Sequence, residues 1–309
     1  MRILLTGATG FLGRRLCAEL LGAGHSLTVL SRRPEAVARL CGEAVRPLAG
    51  LEQWREDDAF DAVVNLAGAP IFDRRWSAAR KAELWSSRVA FTRRLVARMA
   101  QARRPPPVLV SGSAIGFYGD RGDRVLTEEA DGSNDFLGRL CAEWEAVAAG
   151  AGAGGTRVCL VRTGLVLHPS GGLLRRMLLP FRCALGARLG NGRQWMSWIH
   201  LDDWTGLTVR LLTDGAAQGA YNLTAPEPVT NAAFTAALAA AVRRPARAGA
   251  PAWLLRGLLG ERASLLLSSQ RVVPQRGEAL GYRFRHASLD AALSGCAAIS
   301  AASPSAPPP

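Results

Sequence analysis

An α/β fold with a doubly wound parallel sheet is predicted by three observations. The chain opens on an apolar run, Ile3-Leu4-Leu5, that stops at Thr6-Gly7. An amphipathic pattern through Phe11, Leu12, Leu16, Leu20 and Leu21 comes next, with the spacing of a helix face. A second apolar run, Ser26-Leu27-Thr28-Val29-Leu30, follows at the distance a βαβ unit requires. Strand, turn, helix, strand is the start of a Rossmann-type sheet, and 309 residues suffice for that domain plus a smaller C-terminal lobe.

The turn carries Gly7, Gly10 and Gly13 at the spacing G-x-x-G-x-x-G. Gly7 permits the turn, Gly10 lets a pyrophosphate approach the backbone, and Gly13 lets helix pack on strand. Thr9, Phe11 and Leu12 complete the same site, where unpaired N–H groups at the helix start face the phosphates with the helix dipole behind them. An ordinary glycine-marked turn is the competing reading, but the strand before it and the helix after it favour a dinucleotide site.

The residues after the second strand select the dinucleotide. An NAD site wants an acidic side chain there for the ribose hydroxyls, whereas this chain has Ser31, Arg32 and Arg33. A guanidinium suits a 2′-phosphate, and Ser31 adds a hydroxyl donor. NADP(H) is therefore the expected cofactor. The alternative is two more surface arginines in an arginine-rich chain.

A formal charge of +13 and a pI near 10.9 raise nucleic acid as a partner. The arginines are spread along the whole chain, however, and Lys81 is the single lysine, so the bias reads as compositional and no nucleic-acid partner is expected. Six scattered cysteines lack metal-like spacing with the four histidines; they read as buried small residues, and no metal is expected. The chain starts directly on its first strand, and no apolar run reaches membrane-spanning length. A soluble cytoplasmic protein with no membrane partner is the expectation.

Further along, residues 34–40 suit a short helix and 62–66 a buried strand ending at Ala67-Gly68. Small residues at that carboxyl edge would let a cofactor lie against backbone, with Asn65 and Gly68 bracketing the turn. Residues 76–100 form a long helical pattern with Ala82, Trp85, Val89, Leu95, Val96 and Met99 on its apolar face. Glu83 and Ser87 share another face, which either orients ribose hydroxyls or is simply solvated. Two further strands, 108–111 and 158–162, flank the loop Ser111-Gly112-Ser113 to Phe117-Tyr118-Gly119. An aromatic-rich loop, 190–200, precedes a helix capped by Asp202 or Asp203. A strand at 220–223, an Ala-rich helix after Thr230 and a helical region from Pro251 are expected to complete the smaller lobe. The expected division is a nucleotide-binding domain at 1–165, to which a strand and helix near 199–213 return, a lobe at 166–295, and a disordered tail at 296–309.

With these residues in view, the chain resembles the extended short-chain dehydrogenase/reductase superfamily of NAD-dependent epimerases and dehydratases, and within it the atypical epimerase branch of uncharacterised oxidoreductases. The resemblance runs from Met1 to about Leu293. Its most specific stretches are residues 4–13, 65–68, 194–203 and 267–274. It implies cofactor contacts at Ser31, Arg32, Leu66, Ala67, Glu83, Arg88 and Arg162, and a substrate-polarising hydroxyl at Ser113. The superfamily's Y-x-x-x-K pair, in which lysine lowers the tyrosine pKa for proton exchange, is missing. Tyr118, Tyr221 and Tyr282 are followed four residues on by Gly122, Ala225 and His286, and the aligned pair is Leu137 and Cys141.

Two functions follow. One is an NADP(H)-dependent oxidoreductase or epimerase-like enzyme acting on an unidentified small molecule, with Tyr118 beside the Ser113 loop as candidate proton donor and His200 or water as substitutes. The other is a non-catalytic NADP(H)-binding regulatory or interaction protein. Substrate identity and oligomeric state are not readable from the sequence.

Overall fold

The computed structural model describes residues 1–302, with side chains through 296. Its centre is a sheet of seven parallel strands: β1 (Arg2–Thr6), β2 (Ser26–Leu30), β3 (Arg46–Leu48), β4 (Ala62–Asn65), β5 (Val108–Ala114), β6 (Arg157–Thr163) and β7 (Gly219–Leu223). Their order across the sheet is β7-β6-β5-β4-β1-β2-β3, with every neighbouring pair parallel. Growth reverses between β1 and β4, and this switch point opens a crevice at the carboxyl ends of the strands.

The strands are apolar because both faces are covered. Along β1, Ile3 and Leu5 join a core with Leu16, Leu20, Trp204, Leu207 and Leu211. Those residues come from α1 (Phe11–Gly22) and α7 (Leu201–Thr213). Leu4 points the other way, into a core with Leu95, Met99, Leu109 and Ala148. That face is supplied by α4 (Phe91–Ala100) and α5 (Phe136–Ala149). The helical pattern over 76–100 resolves into α3 (Ala78–Trp85), a π-helical turn at Ser86–Ala90, and α4. Ser77 starts it by accepting the Arg80 N–H. The helix expected at 34–40 is a 3₁₀ turn at Pro34–Ala36 running into α2 (Val37–Cys41).

Three expectations are corrected. The strand Gly219–Leu223 is the edge strand of the main sheet, where Tyr221 pairs with Val161, and does not belong to the smaller lobe. The short strand Arg46–Leu48 was not anticipated, because Pro47 argues against a strand; an edge position tolerates it. A helix spans Leu289–Ala302, so the expected disordered tail is helical through 302, while 303–309 lie outside the described residues. Among the cysteines, Cys183 is exposed and the other five are buried.

The smaller lobe packs Leu174, Leu178 and Phe181 of α6 (Gly172–Arg182) against Phe234 and Leu238 of α8 (Asn231–Ala241), with Met196, Trp198 and Leu293. Its C-terminal part is stitched to the sheet domain. Arg271–Val272 pairs in parallel with Val125–Leu126. The Ser269 hydroxyl donates to the Gly122 carbonyl at 2.7 Å, and Gln270 Nε2 donates to the carbonyls of Ile115 and Gly119. The Arg285 and His286 amides both donate to the buried carboxylate of Asp203, each at 2.8 Å.

Candidate cofactor and substrate site

The turn between β1 and α1 gives its three glycines three different tasks. Gly7 has φ +70°, and a Cβ there would lie 2.4 Å from the Leu66 carbonyl oxygen. At Gly13 a Cβ would lie 2.4 Å from the Ala8 Cα, so helix and turn touch backbone to backbone. Gly10 differs: a Cβ there would meet a single atom, the Gly7 oxygen at 3.2 Å, and would otherwise point into open space. Gly10 is also the N-cap of α1, and no side chain caps that end. The first-turn N–H groups are thus available to an anion, and the space over Gly10 fits a pyrophosphate.

Beside the turn, the end of β4 is braced by side chains. The Thr6 hydroxyl donates to Asn65 Oδ1 at 2.7 Å, and Asn65 Nδ2 donates to Thr92 Oγ1 at 2.8 Å and to Ser111 Oγ at 3.3 Å. Asn65 is completely buried. It does not face a cofactor as expected; it ties β1, β4 and β5 to α4. Ser87 accepts the Ala69 N–H at 3.0 Å, and Arg88 Nη2 donates to the Ala69 carbonyl at 3.0 Å. The Arg88 guanidinium lies over the Trp144 ring and so close to Gly68 that a Cβ there would come within 2.9 Å. Burial lowers the Arg88 pKa from its ordinary value. Both Ser87 and Arg88 sit on the π-helical turn, a device common where a helix must aim side chains at a site.

At the carboxyl end of β2, Arg32 is exposed and forms no ion pair among the described residues. The Ser31 hydroxyl closes a local turn with Arg33. Glu83 accepts from Arg80 Nη1 at 2.6 Å, and that hydrogen bond holds its carboxyl below the usual range, helped by the charges of Arg80, Arg74 and Arg32. Arg32 and Glu83 therefore share one neighbourhood.

A cavity of about 580 Å³ lies where this crevice meets the smaller lobe. Leu12, Leu66, Arg88 and Ser113 share its lining with Leu137 and Cys141, the two residues aligned with the missing tyrosine and lysine. Burial, with the Glu145 charge adding, pushes the Cys141 thiol up to about 12, so it is no acid–base group at neutral pH. The Ser113 hydroxyl donates to Glu145 Oε1 at 2.6 Å. Glu145 in turn holds Arg162 through two bonds, 2.9 Å from Nε and 2.8 Å from Nη2. Arg162 Nη1 donates to the Tyr118 hydroxyl at 2.9 Å, and Tyr118 donates to Asn222 Oδ1 at 2.7 Å. A buried polar chain thus runs from the cavity wall to the edge strand.

This chain corrects two expectations. Tyr118 has no exposed surface and does not line the cavity; both hydrogen-bonding directions of its hydroxyl are taken, and burial raises its pKa. It is not placed to hand a proton to a ligand. Arg162, expected at the cofactor, is paired with Glu145 and packed on the Phe117 ring, 3.7 Å from its centroid. Glu145 is the residue sequence reasoning missed. A glutamate spaced four and eight residues from Cys141 and Leu137 on a face otherwise made of Leu140, Trp144 and Ala148 was the available signal.

A second polar cluster lies beside α1. The His200 and His286 rings are 3.8 Å apart, and each has a nitrogen within 4 Å of Asp202 Oδ2. Arg15 donates to the other oxygen of that carboxylate from Nε at 3.2 Å and Nη2 at 3.1 Å. Three ligand-type atoms converge within 4.8 Å here, but a fixed guanidinium on the one carboxylate opposes a divalent ion. Burial, then the charge of His286, depresses the His200 pKa from 6.5 to about 4. The unfolded chain therefore binds the proton first on acidification. His200 contributes stability that is complete above pH 6.5 and is lost as the pH falls toward 4. The loss by pH 5 is expected to be on the order of 1 kcal/mol. Urea unfolding at pH 7 and pH 5 should record it, and His200→Asn, which keeps an N-cap acceptor for the Asp202 N–H, should flatten it.

A glycine turn at a parallel switch point, opening on a cavity shared with a second lobe, defines a dinucleotide-binding protein of the Rossmann class. The chain belongs to the NAD dependent epimerase/dehydratase family, whose sequence model matches residues 3–224. Residues 250–295 match a domain of unknown function, DUF1731. An epimerase family protein of Mycobacterium bovis is 41% identical over 296 residues, covering 94% of this chain and 96% of the relative. The human epimerase family protein SDR39U1 is 36% identical over 297 residues, covering 95% and 98%. A crystal structure of the human protein with NADPH matches with a TM-score of 0.87 at 33% identity, over 96% of this chain and 99% of that one. A nucleoside-diphosphate sugar epimerase from Corynebacterium glutamicum matches with a TM-score of 0.77 at 32% identity, over 96% and 58%. No helix among the described residues is long and apolar enough to cross a membrane.

Proposed function

We propose that this protein is an NADP(H)-dependent oxidoreductase or epimerase-like enzyme acting on a small molecule, with Ser113 as the hydroxyl that orients the reacting oxygen. The observation that carries this is the cavity. One side is lined by the sheet domain, with Leu12, Leu66, Arg88 and Ser113 next to the glycine turn and Leu137, Cys141 and Trp144 from α5, and the other side by the smaller lobe. Its volume is in the range of small-molecule sites, and its division between two lobes is where such sites form. NADP(H) is supported by the open Gly10 cradle, the exposed Arg32, and the human relative crystallised with NADPH. When bound, the nicotinamide supplies hydride exchange. Gly7, Gly10, Gly13, Thr9, Phe11, Leu12, Leu66, Ala67 and Gly68 would hold the dinucleotide, with Ser31, Arg32 and Glu83 at its adenosine end. No tyrosine or lysine lines the cavity, so the proton would pass through Ser113 or water.

Parallel titration of the cofactor-stripped protein with NADPH and NADH, followed by nicotinamide fluorescence, tests the reading. Clear preference for NADPH is expected. Arg32→Ala should erase about tenfold to hundredfold of it while leaving NADH affinity unchanged, the loss of a charge-assisted phosphate contact. Binding of neither nucleotide would refute the assignment. The alternative, a non-catalytic NADP(H)-binding protein, would be favoured by tight NADPH binding with no hydride exchange toward any carbonyl or alcohol.

A further inference from the structure

We infer that the substrate is a carbonyl or alcohol carried on an extended apolar body, and not a nucleoside diphosphate sugar. This inference rests on the proposed enzyme reading and specifies what its cavity accepts. The part of the cavity away from the glycine turn is walled by Leu173, Met177, Phe181, Leu185, Trp195 and Met196. Three charged residues line the whole cavity, Arg88, Asp135 and Arg176, and each is already engaged. Arg88 bonds the Ala69 carbonyl, Asp135 caps α5 by accepting the Gly138 N–H, and Arg176 pairs with Asp73. A diphosphate would thus enter a chamber whose two cations are both shared, Arg88 with a carbonyl and Arg176 with Asp73 in a half-exposed pair, against a large desolvation penalty.

Several polar side chains in the same lining are turned into the protein. The Ser197 hydroxyl bonds backbone of Gln270 and Val272, Gln270 Nε2 bonds the carbonyls of Ile115 and Gly119, and the Thr163 hydroxyl accepts from Trp204. Ser113, near the reaction centre, gives its proton to Glu145 and keeps its hydroxyl oxygen as an acceptor for one end of a ligand. Met177 and Met196 add walls that adapt to flexible chains. The apolar surface continues outward. Leu185 lines the cavity and is 72% exposed, which marks the mouth. The next segment, Ala187–Leu189, pairs with Ala248–Ala250, which leads into α9 (Ala252–Leu259). That helix buries none of its residues and exposes Trp253 and Leu258. An apolar chamber with an exposed leucine at its mouth and one polar end fits an amphipathic, chain-like molecule.

The test is calorimetric titration of the full chain with 2-butanone, 2-hexanone, 2-octanone and 2-decanone, with and without NADPH, beside UDP-glucose. Affinity is expected to rise about fourfold per methylene until the chamber is filled, with no heat from UDP-glucose. Leu185→Glu changes an exposed residue at the mouth and should weaken 2-decanone at least tenfold while NADPH affinity stays unchanged. A flat ketone series, UDP-glucose binding in the chamber, or an undiminished series in Leu185→Glu would each overturn the inference. These readouts do not need cofactor binding. Absence of NADPH binding alone would instead strike the enzyme reading.

Discussion

Replacing Gly10 with alanine is expected to weaken NADPH binding about thirtyfold while the protein keeps its fold. The added methyl meets one atom of the protein, the Gly7 oxygen at 3.2 Å, and otherwise occupies the space above the first turn of α1. Steric overpacking of that kind costs roughly 2 kcal/mol, and it falls on the ligand because the ligand is what the methyl meets. As an N-cap change the same substitution costs at most about 1 kcal/mol of stability. Gly13→Ala, three residues on, should behave in the opposite way. Its methyl would lie 2.4 Å from the Ala8 Cα and 2.5 Å from the Gly7 oxygen, so α1 must shift on the sheet, at about 2–3 kcal/mol. Thermal melts and NADPH titrations of the two variants separate the effects. Equal loss of affinity and stability in both would mean that the turn acts only as a structural joint.

The second large effect is expected from Arg162→Met. Arg162 and Glu145 are both less than one-tenth exposed, and the pair is bidentate. Removing the guanidinium leaves a buried carboxylate without its counter-charge, a loss of about 3–5 kcal/mol. Glu145→Gln in the same chain should recover much of it, because the neutral amide no longer needs a cation. A double-mutant cycle in urea provides the coupling energy. Additive losses would show that the two side chains are held independently by their other partners.

The glycine turn was legible because backbone needs dictate side-chain identity there. Only glycine tolerates the φ of Gly7 and the approach of Gly13 to Ala8, so residue type reports geometry directly. The parallel strands were legible where both faces are covered and the sequence runs apolar, as at Ala62–Asn65. Gly219–Leu223 misled for the opposite reason. It is an edge strand reached after a long excursion through the smaller lobe, and nothing local announces that it returns to β6. The candidate site divides in the same way. Arg32 follows the end of β2 and Ser113 sits in the last pleat of β5, so their neighbourhood follows from topology. Tyr118 follows β5 too, but what its hydroxyl meets is decided by Asn222, 104 positions away. Glu145 escaped notice because its role depends on Arg162 from strand β6, a pairing that no spacing within α5 displays.

The hydrogen bonds that fasten Ser269, Gln270, Arg285 and His286 to the sheet domain bear on how such a chain can be inherited. Two family models divide the sequence, at 3–224 and 250–295, as if a second module had been appended. Yet the second segment fills the hydrogen bonds of groups buried in the first: the Asn222 amide donates to the Val273 carbonyl, and Asp203 takes the amides of Arg285 and His286. A gene that lost the second segment would encode a first with orphaned buried polar groups, and the segment transplanted elsewhere would find no such partners. The two pieces can diverge in sequence, but losing or exchanging one alone would strand buried polar groups of the other.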